Sequence, residues 1–376
     1  MTVSHQQPVR LVQQTGALTT LIDAISDAPA IAIDTEFHTE RRYQPELMLV
    51  QLAIETGATW VVDPLAVSLE PLASALHDKT VVVHAGSQDL GLLQRDCGAA
   101  PADAFDIQIA AGMIGLGHPM RLGTLVSELL DQPLDKGATL SDWSRRPLST
   151  AQLSYAAADA SVLFPLKAAL EKRLRATGRL DWAIEESRSM AIKAQAPTPV
   201  NHHWARWEIA PRLGADTHRV LTVLFNWRDQ QGRNKNQPAH FMLSDGLCLD
   251  IARRKPRSLD ALAENRRIPQ GLMRRLGKEI VGAVEWALEN PVTLPPIATA
   301  SQQLQAKALL LWTETIAQEL GVARTLLMSE PLAHQIAIDG TAALEGWRTQ
   351  AIGEPLDRFC AGESGVYWGE NGPVIR

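Results

Sequence analysis

The stretch that constrains this chain most is Ile31-Ala32-Ile33-Asp34-Thr35-Glu36-Phe37, an apolar, β-branched run of strand character that delivers two acids near its end. Side chains in a strand alternate faces, so Asp34 and Glu36 project from one face while Thr35 turns away. Two carboxylates placed this way repel each other unless a cation lies between them. Seen alone, the pair reads equally well as two acids on a solvated strand end. Matching acids further along tip the balance.

The first match is Val81-Val82-Val83-His84-Ala85-Gly86-Ser87-Gln88-Asp89-Leu90, which reads as a strand running into a helix start. Ser87 is the expected N-cap, which puts Asp89 in the first helical turn, where the helix dipole favours an anion. The second match, Tyr155-Ala156-Ala157-Ala158-Asp159, reads as mid-helix, with Tyr155 and Asp159 four apart on a single face. Two acids from a strand end, one from a helix start and one from a helix face can converge on a point. Such a point is a site for a hard cation, built from oxygen ligands.

Asp34-Thr35-Glu36-Phe37, His84 to Asp89 and Tyr155-xxx-Asp159 resemble the three exonuclease motifs of the DEDD superfamily. The flanks sharpen the likeness: Leu134-Asp135-Lys136, Ser141-Asp142-Trp143, Arg146-Pro147-Leu148 and Gln152 before Tyr155 resemble the ribonuclease D family. Any one motif is weak, but three in order with these flanks are specific. In the sister subclass a His stands five residues before the last Asp; here that position is Ser154, which implies the tyrosine subclass.

The resemblance implies a ribonuclease H-like mixed sheet with flanking helices and a metal-dependent 3′→5′ exoribonuclease that releases 5′-mononucleotides. It further implies a part in 3′ maturation of precursor transfer RNA. Hydrolysis of a phosphodiester needs an activated in-line water and a neutralised leaving oxygen, and two divalent ions roughly 3.5 to 4 Å apart can supply both. In the family's pattern Asp34 bridges the ions, Glu36 and Asp159 complete the nucleophile-side ion, and Asp89 holds the other, mainly through water. Either Mg²⁺ or Mn²⁺ fits. Tyr155 orients the attacking water, Phe37 stacks on the terminal base, Gln51 and His84 contact the last nucleotide, and Lys136 meets phosphate. Each of these last four also reads as packing at a strand end. Two alternatives stand beside this reading: a DNA-directed 3′-5′ exonuclease, and a non-catalytic RNA-binding scaffold, which the presence of all four acids and the tyrosine disfavours.

Along the chain, Leu18, Leu21, Ile22 and Ile25 mark a helix before the Asp34 strand. Residues 47–54 and 59–63 read as strands of an antiparallel meander, 71–77 as a short helix, 80–84 as a strand and 87–96 as a helix; beyond Phe105 the pattern is mainly helical. Gly115-Leu116-Gly117-His118-Pro119 fails as a dinucleotide loop, because position 120 is Met and Pro119 interrupts it, and reads as a helix-ending turn. The exonuclease domain is placed at 8–175 and a linker or docking segment at 176–214. Within that segment the aromatics of His202-His203-Trp204-Ala205-Arg206-Trp207 are expected to dock on a neighbour.

Residues 215–292 resemble the HRDC domain through Arg228-Asp229, Pro256-Arg257-Ser258-Leu259 and Leu276-Gly277-Lys278-Glu279-Ile280. The 303–376 segment reads as a degenerate second copy, since the spacing from Trp312 to Leu326-Leu327 echoes that from Trp227 to Phe241-Met242.

The formal net charge of −6 suits a nuclease only when it is divided. Residues 1–200 carry 16 Lys+Arg against 23 Asp+Glu, residues 201–290 carry 15 against 10, and residues 301–376 carry 5 against 9. Acids belong in the catalytic part and cations where the phosphate backbone is held, so 251–281, with 9 basic residues against 3 acids, is the expected RNA track. The last segment, acidic, is expected to pack or to space. Cys97, Cys248 and Cys360 stand in no metal-ligand or disulfide spacing. With neither a leader-like start nor a membrane-length apolar run, a cytoplasmic monomer acting on RNA and not on membranes is expected.

Overall fold

The computed structural model describes residues 9–98, 101, 103–132, 141–370 and 372–376. The Asp34 strand, β2 (Ala30–His38), lies inside a six-stranded sheet with β1 (Arg10–Val12), β3 (Glu46–Ile54), β4 (Thr59–Val62), β5 (Thr80–Val83) and β6 (Asp103–Asp106). Its order is β1-β4-β3-β2-β5-β6. β3 runs antiparallel to both neighbours and the remaining pairs are parallel, so the meander from β2 to β4 is extended on both sides by crossovers. The outermost strands β1 and β6 do not stand out in the sequence. Three or four residues are too few to establish an alternation, and β6 contains two aspartates, a residue type depleted in strands.

Helices cover both faces, as a parallel-rich sheet requires. On one side α1 (Thr15–Ser26), α2 (Leu72–Leu76) and α3 (Ser87–Cys97) bury Leu21, Ile25, Leu72, Leu90 and Leu93 against Ile31, Ile33, Leu52 and Val83. Each such side chain is worth about 1.5–3 kcal/mol when removed from water. On the other side lie α4 (Ile107–Met113), α5 (Leu122–Leu130), α6 (Thr150–Ser161) and α7 (Leu163–Ala176), over Ala32, Ala53 and Val82. α8 (Leu180–Gln195) packs on α3 and β6, so the first part of the segment expected to link is a helix of the sheet unit. The extended chain begins at Ala196.

Five helices follow: α9 (Ala215–Lys235), α10 (Ala239–Met242), α11 (Asp245–Arg254), α12 (Leu259–Ala263) and α13 (Gln270–Glu289). They close over a separate core of Leu224, Phe225, Ile280 and Val284, into which Trp204 is fully buried, stacked on His218. The expected docking of these aromatics is what the structure has. Next come α14 (Ala300–Leu320), α15 (Arg324–Leu327), α16 (Glu330–Asp339) and α17 (Trp347–Cys360), then a hairpin of β7 (Val366–Gly369) and β8 (Gly372–Ile375). The first three helices of the two helical units have matching lengths of 21, 4 and 10 residues. Ser244 and Ser329 cap α11 and α16 in the same way.

The last unit shares the core of the sheet unit. Trp312, Ile316, Leu326 and Trp347 join the cluster built by α4 and α7. Arg179 donates to the carbonyls of Met113 and Gly321 at 2.8 Å each, and Arg348 forks onto Glu186 at 2.6 and 2.8 Å. The Gly115–Pro119 stretch is the turn expected of it, and His118 there meets Thr325 at 2.9 Å. No helix among the described residues is long and apolar enough to cross a membrane.

Candidate active site

Asp34 and Glu36 leave β2 on one face, as alternation requires, and Asp34 stands opposite Gln51 in the β2–β3 ladder. Between Glu36 and Phe37 the register shifts: Glu36 pairs with Leu49 and Phe37 with Leu47, so Met48 is a bulge. α6 crosses β3 and β2 here, started by a reciprocal cap between Ser149 and Gln152. Its approach is held by Arg146, which forks onto Asp63 at 2.6 and 2.8 Å and donates to the Met48 carbonyl at 3.1 Å. The strand bulge and the helix that carries Tyr155 and Asp159 are thereby tied together.

The result is a close group: Asp34, Glu36 and Asp159 each offer a carboxylate oxygen, and these oxygens all lie within 4.8 Å of one another. The Tyr155 hydroxyl donates to Asp159, and the tyrosine ring rests on buried Trp143 with centroids 6.1 Å apart. Asp89 sits in the first turn of α3, as expected, but stands outside that three-acid contact. It accepts a hydrogen bond from the hydroxyl of Thr35, the residue on the opposite face of β2, which α3 covers. Ser87 is not the cap of α3; Gly86 is, and it has no side chain to bond with.

The electrostatics follow from crowding. Burial, then the charges of Asp89, Asp159 and Glu36, hold Asp34 well above the usual carboxylate range. Glu36 is pushed up to about 8 by burial and then by Asp159 and Asp89. Burial raises Asp159 to about 7 against the pull of the Tyr155 hydroxyl, and Asp89 to about 6 against the pull of Thr35. Among the described residues no Lys, Arg or His forms an ion pair with any of the four. An all-oxygen donor set starved of positive charge is what a divalent cation satisfies.

The four residues expected to touch the nucleotide fare differently. Phe37 is half-buried and packs partly on the α1–α3 side of the sheet. His84, also half-buried, shares a hydrogen bond with the Met120 carbonyl at 2.8 Å; burial pushes its imidazole down, against the pull of Asp106 and of that carbonyl. Gln51 is fully buried, and both its amide atoms lack a partner among the described residues. A direct nucleotide contact by Gln51 does not fit this geometry, because no part of it reaches solvent. Lys136 lies outside the described residues. Thr35 and Arg146 were not singled out in the sequence as site residues; the charge of Arg146 was visible there, but its partner Asp63, 83 positions away, was not.

A family model described as 3'-5' exonuclease matches residues 9–175, and one for the HRDC domain matches residues 217–284. Ribonuclease D of Sphingobium indicum is 33% identical over 360 residues, covering 91% of this chain and 92% of its own. Ribonuclease D of Acidiphilium cryptum is 32% identical over 375 residues, with 96% and 94% covered. The crystal structure of Escherichia coli RNase D, described as an exoribonuclease involved in structured RNA processing, superposes with a TM-score of 0.82 at 27% identity, covering 95% of this chain and 99% of that one.

Proposed function

The chain belongs to the ribonuclease D family and is a 3′-5′ exoribonuclease, and from that premise we propose that it works with divalent cations held by Asp34, Glu36, Asp89 and Asp159. The observation that carries this reading is the convergence of three carboxylate oxygens within 4.8 Å, raised toward protonation and unpaired with any cationic side chain among the described residues. Divalent cations held there, two in this reading and either Mg²⁺ or Mn²⁺, would supply the positive charge that an attacking water and a leaving 3′ oxygen need. Asp34, Glu36 and Asp159 would together hold one cation, and Asp89, with Asp34, would help to hold a second.

Tyr155 lies one helical turn before Asp159, and its hydroxyl is held by that carboxylate. From there it orients the attacking water, a task for a hydroxyl fixed in direction. Phe37, beside Glu36, stacks on the terminal base; His84 lines the approach, and Lys136 meets phosphate. Gln51, beside Asp34 in the sheet but sealed from solvent, is left out of the nucleotide contacts. The product is a 5′-mononucleotide removed from each successive 3′ end.

Arg253, Arg254, Arg257, Arg274, Arg275 and Lys278 on α11 to α13 are exposed and form no ion pair among the described residues. They are free to track a phosphate backbone. With a helical unit of that charge beside the sheet, structured RNAs with 3′ extensions, precursor transfer RNA among them, are the proposed substrates. A time course on 3′-extended transfer RNA, with and without chelator, tests the reading: one-nucleotide steps that stop in chelator are expected, and cleavage undiminished by chelator would sink the metal role.

A further inference from the structure

Asp106, the last residue of β6, does more than start α4. Its Oδ1 accepts from the amides of Gln108 at 2.7 Å and Ile109 at 3.2 Å, which is an ordinary helix cap. The same carboxylate also reaches across the sheet edge: Oδ1 accepts from the Ala85 amide at 3.2 Å, and Oδ2 from the Gly86 amide at 2.8 Å. Those two bonds are surplus to capping α4. They land on Ala85 and Gly86 of the turn between β5 and α3, neither of which has a polar side chain; His84, the other residue of the turn, bonds to the Met120 carbonyl instead. Ala85 there adopts the left-handed conformation, with φ of 57°, at a cost of about 1 kcal/mol for a residue with a Cβ. At Gly86 an added Cβ would lie 2.3 Å from Val83 Cγ2. Asp106 is itself 2% exposed, and its amide donates to Ser187 Oγ at 3.0 Å, so α8 holds it from behind.

Three residues beyond Gly86 stands Asp89, whose direction is set by the first turn of α3. We propose that Asp106 is a positioning residue that acts through Asp89: it fixes the strained Ala85-Gly86 turn so that the Asp89 carboxylate is presented to the cation site. The proposal rests on the ligand role given to Asp89 above, and the two can be separated by experiment.

Asn at 106 keeps an oxygen for the α4 cap but sets an amide donor against the Gly86 N–H, whereas Ser caps the helix and is too short to reach the turn. Full-length wild type, Asp106→Asn, Asp106→Ser, Asp89→Asn and the Asp106→Asn/Asp89→Asn double variant are compared. The readouts are Mn²⁺ titration followed by electron paramagnetic resonance, melting in chelator, and steady-state cleavage of a single-stranded RNA. Both single variants at 106 should stay folded, because Asn and Ser cap α4 as well as Asp, but should melt a few degrees below wild type, because the amide bonds to the turn are weakened or lost. They should bind Mn²⁺ about tenfold more weakly, as loss of a group that orients a metal ligand does, with kcat falling by a similar factor and KM little changed. In the Asp89→Asn background the change at 106 should cost no further Mn²⁺ affinity. Wild-type Mn²⁺ affinity in both variants at 106 would overturn the proposal, as would losses that multiply in full in the double variant. Unaltered Mn²⁺ binding by Asp89→Asn would overturn the ligand role of Asp89 and this proposal with it, while leaving the Asp34, Glu36 and Asp159 group untouched.

Discussion

Replacing Glu36 by Gln should stabilise the metal-free protein at alkaline pH and leave its stability nearly unchanged at acid pH. Glu36 rises from 4.5 to about 8 on folding, through burial and the charges of Asp159 and Asp89. Between those values the folded protein keeps a proton that the unfolded chain has released, so the carboxyl lowers stability progressively as pH rises from 4.5 toward 8. At about 1.4 kcal/mol per unit, the penalty at pH 8 is on the order of 4 kcal/mol, and at pH 5 it is under about 1 kcal/mol. Gln removes the charge but buries an amide with no new partner, which costs about 1 kcal/mol. The net expectation is a gain on the order of 3 kcal/mol at pH 8 and about zero at pH 5. Urea unfolding followed by circular dichroism in chelator, for both proteins at both pH values, measures it. Adding Mn²⁺ at about 100 times its Kd should then favour wild type by about 2.7 kcal/mol and the variant by far less. A difference between the two proteins that does not change with pH would refute the crowding argument, and so would a variant that is less stable in chelator at pH 8.

Asp34→Asn or Asp159→Asn should abolish cleavage of a labelled RNA in Mg²⁺ while keeping the fold and RNA binding, since each removes one of the three clustered carboxylates. Retained turnover in either would remove the mechanism. Tyr155→Phe should lower kcat by about a hundredfold and change KM little, because the ring keeps its packing on Trp143 and only the hydroxyl is lost; an unchanged kcat would return the tyrosine to packing. Arg274→Ala combined with Lys278→Ala should weaken RNA binding across sequences. The slope of log affinity on log salt should become shallower by about 0.7 for each phosphate of a single strand that the protein no longer neutralises. A slope identical to wild type would show that this face does not meet RNA.

Local periodicity makes much of this molecule legible in its sequence, and what it misses shares one cause. Asp34 and Glu36 on one strand face, and Tyr155 and Asp159 one helical turn apart, follow from periods of two and of about four residues, and the structure has both relations. The paired helical units are visible for the same reason, since the 14-residue spacing from Trp227 to Phe241 and from Trp312 to Leu326 survives even where charge does not. By contrast, Thr35 is correctly placed on the opposite face by alternation, yet alternation says nothing of its bond to Asp89. That bond depends on which side of the sheet α3 covers, a matter of chain crossover and not of spacing. Ser87 offers the expected capping residue type one position too late, because the turn before it is held from β6 by Asp106, 20 residues away from Gly86. Arg146 and Asp63 are 83 residues apart, and Gln51 is buried on a strand that α6 packs over. The acids that would bind the cations are thus written in local code, whereas the groups that aim them are chosen by tertiary contact. A search confined to motifs will find the ligands of such a site and miss the residues that decide whether those ligands point at one another.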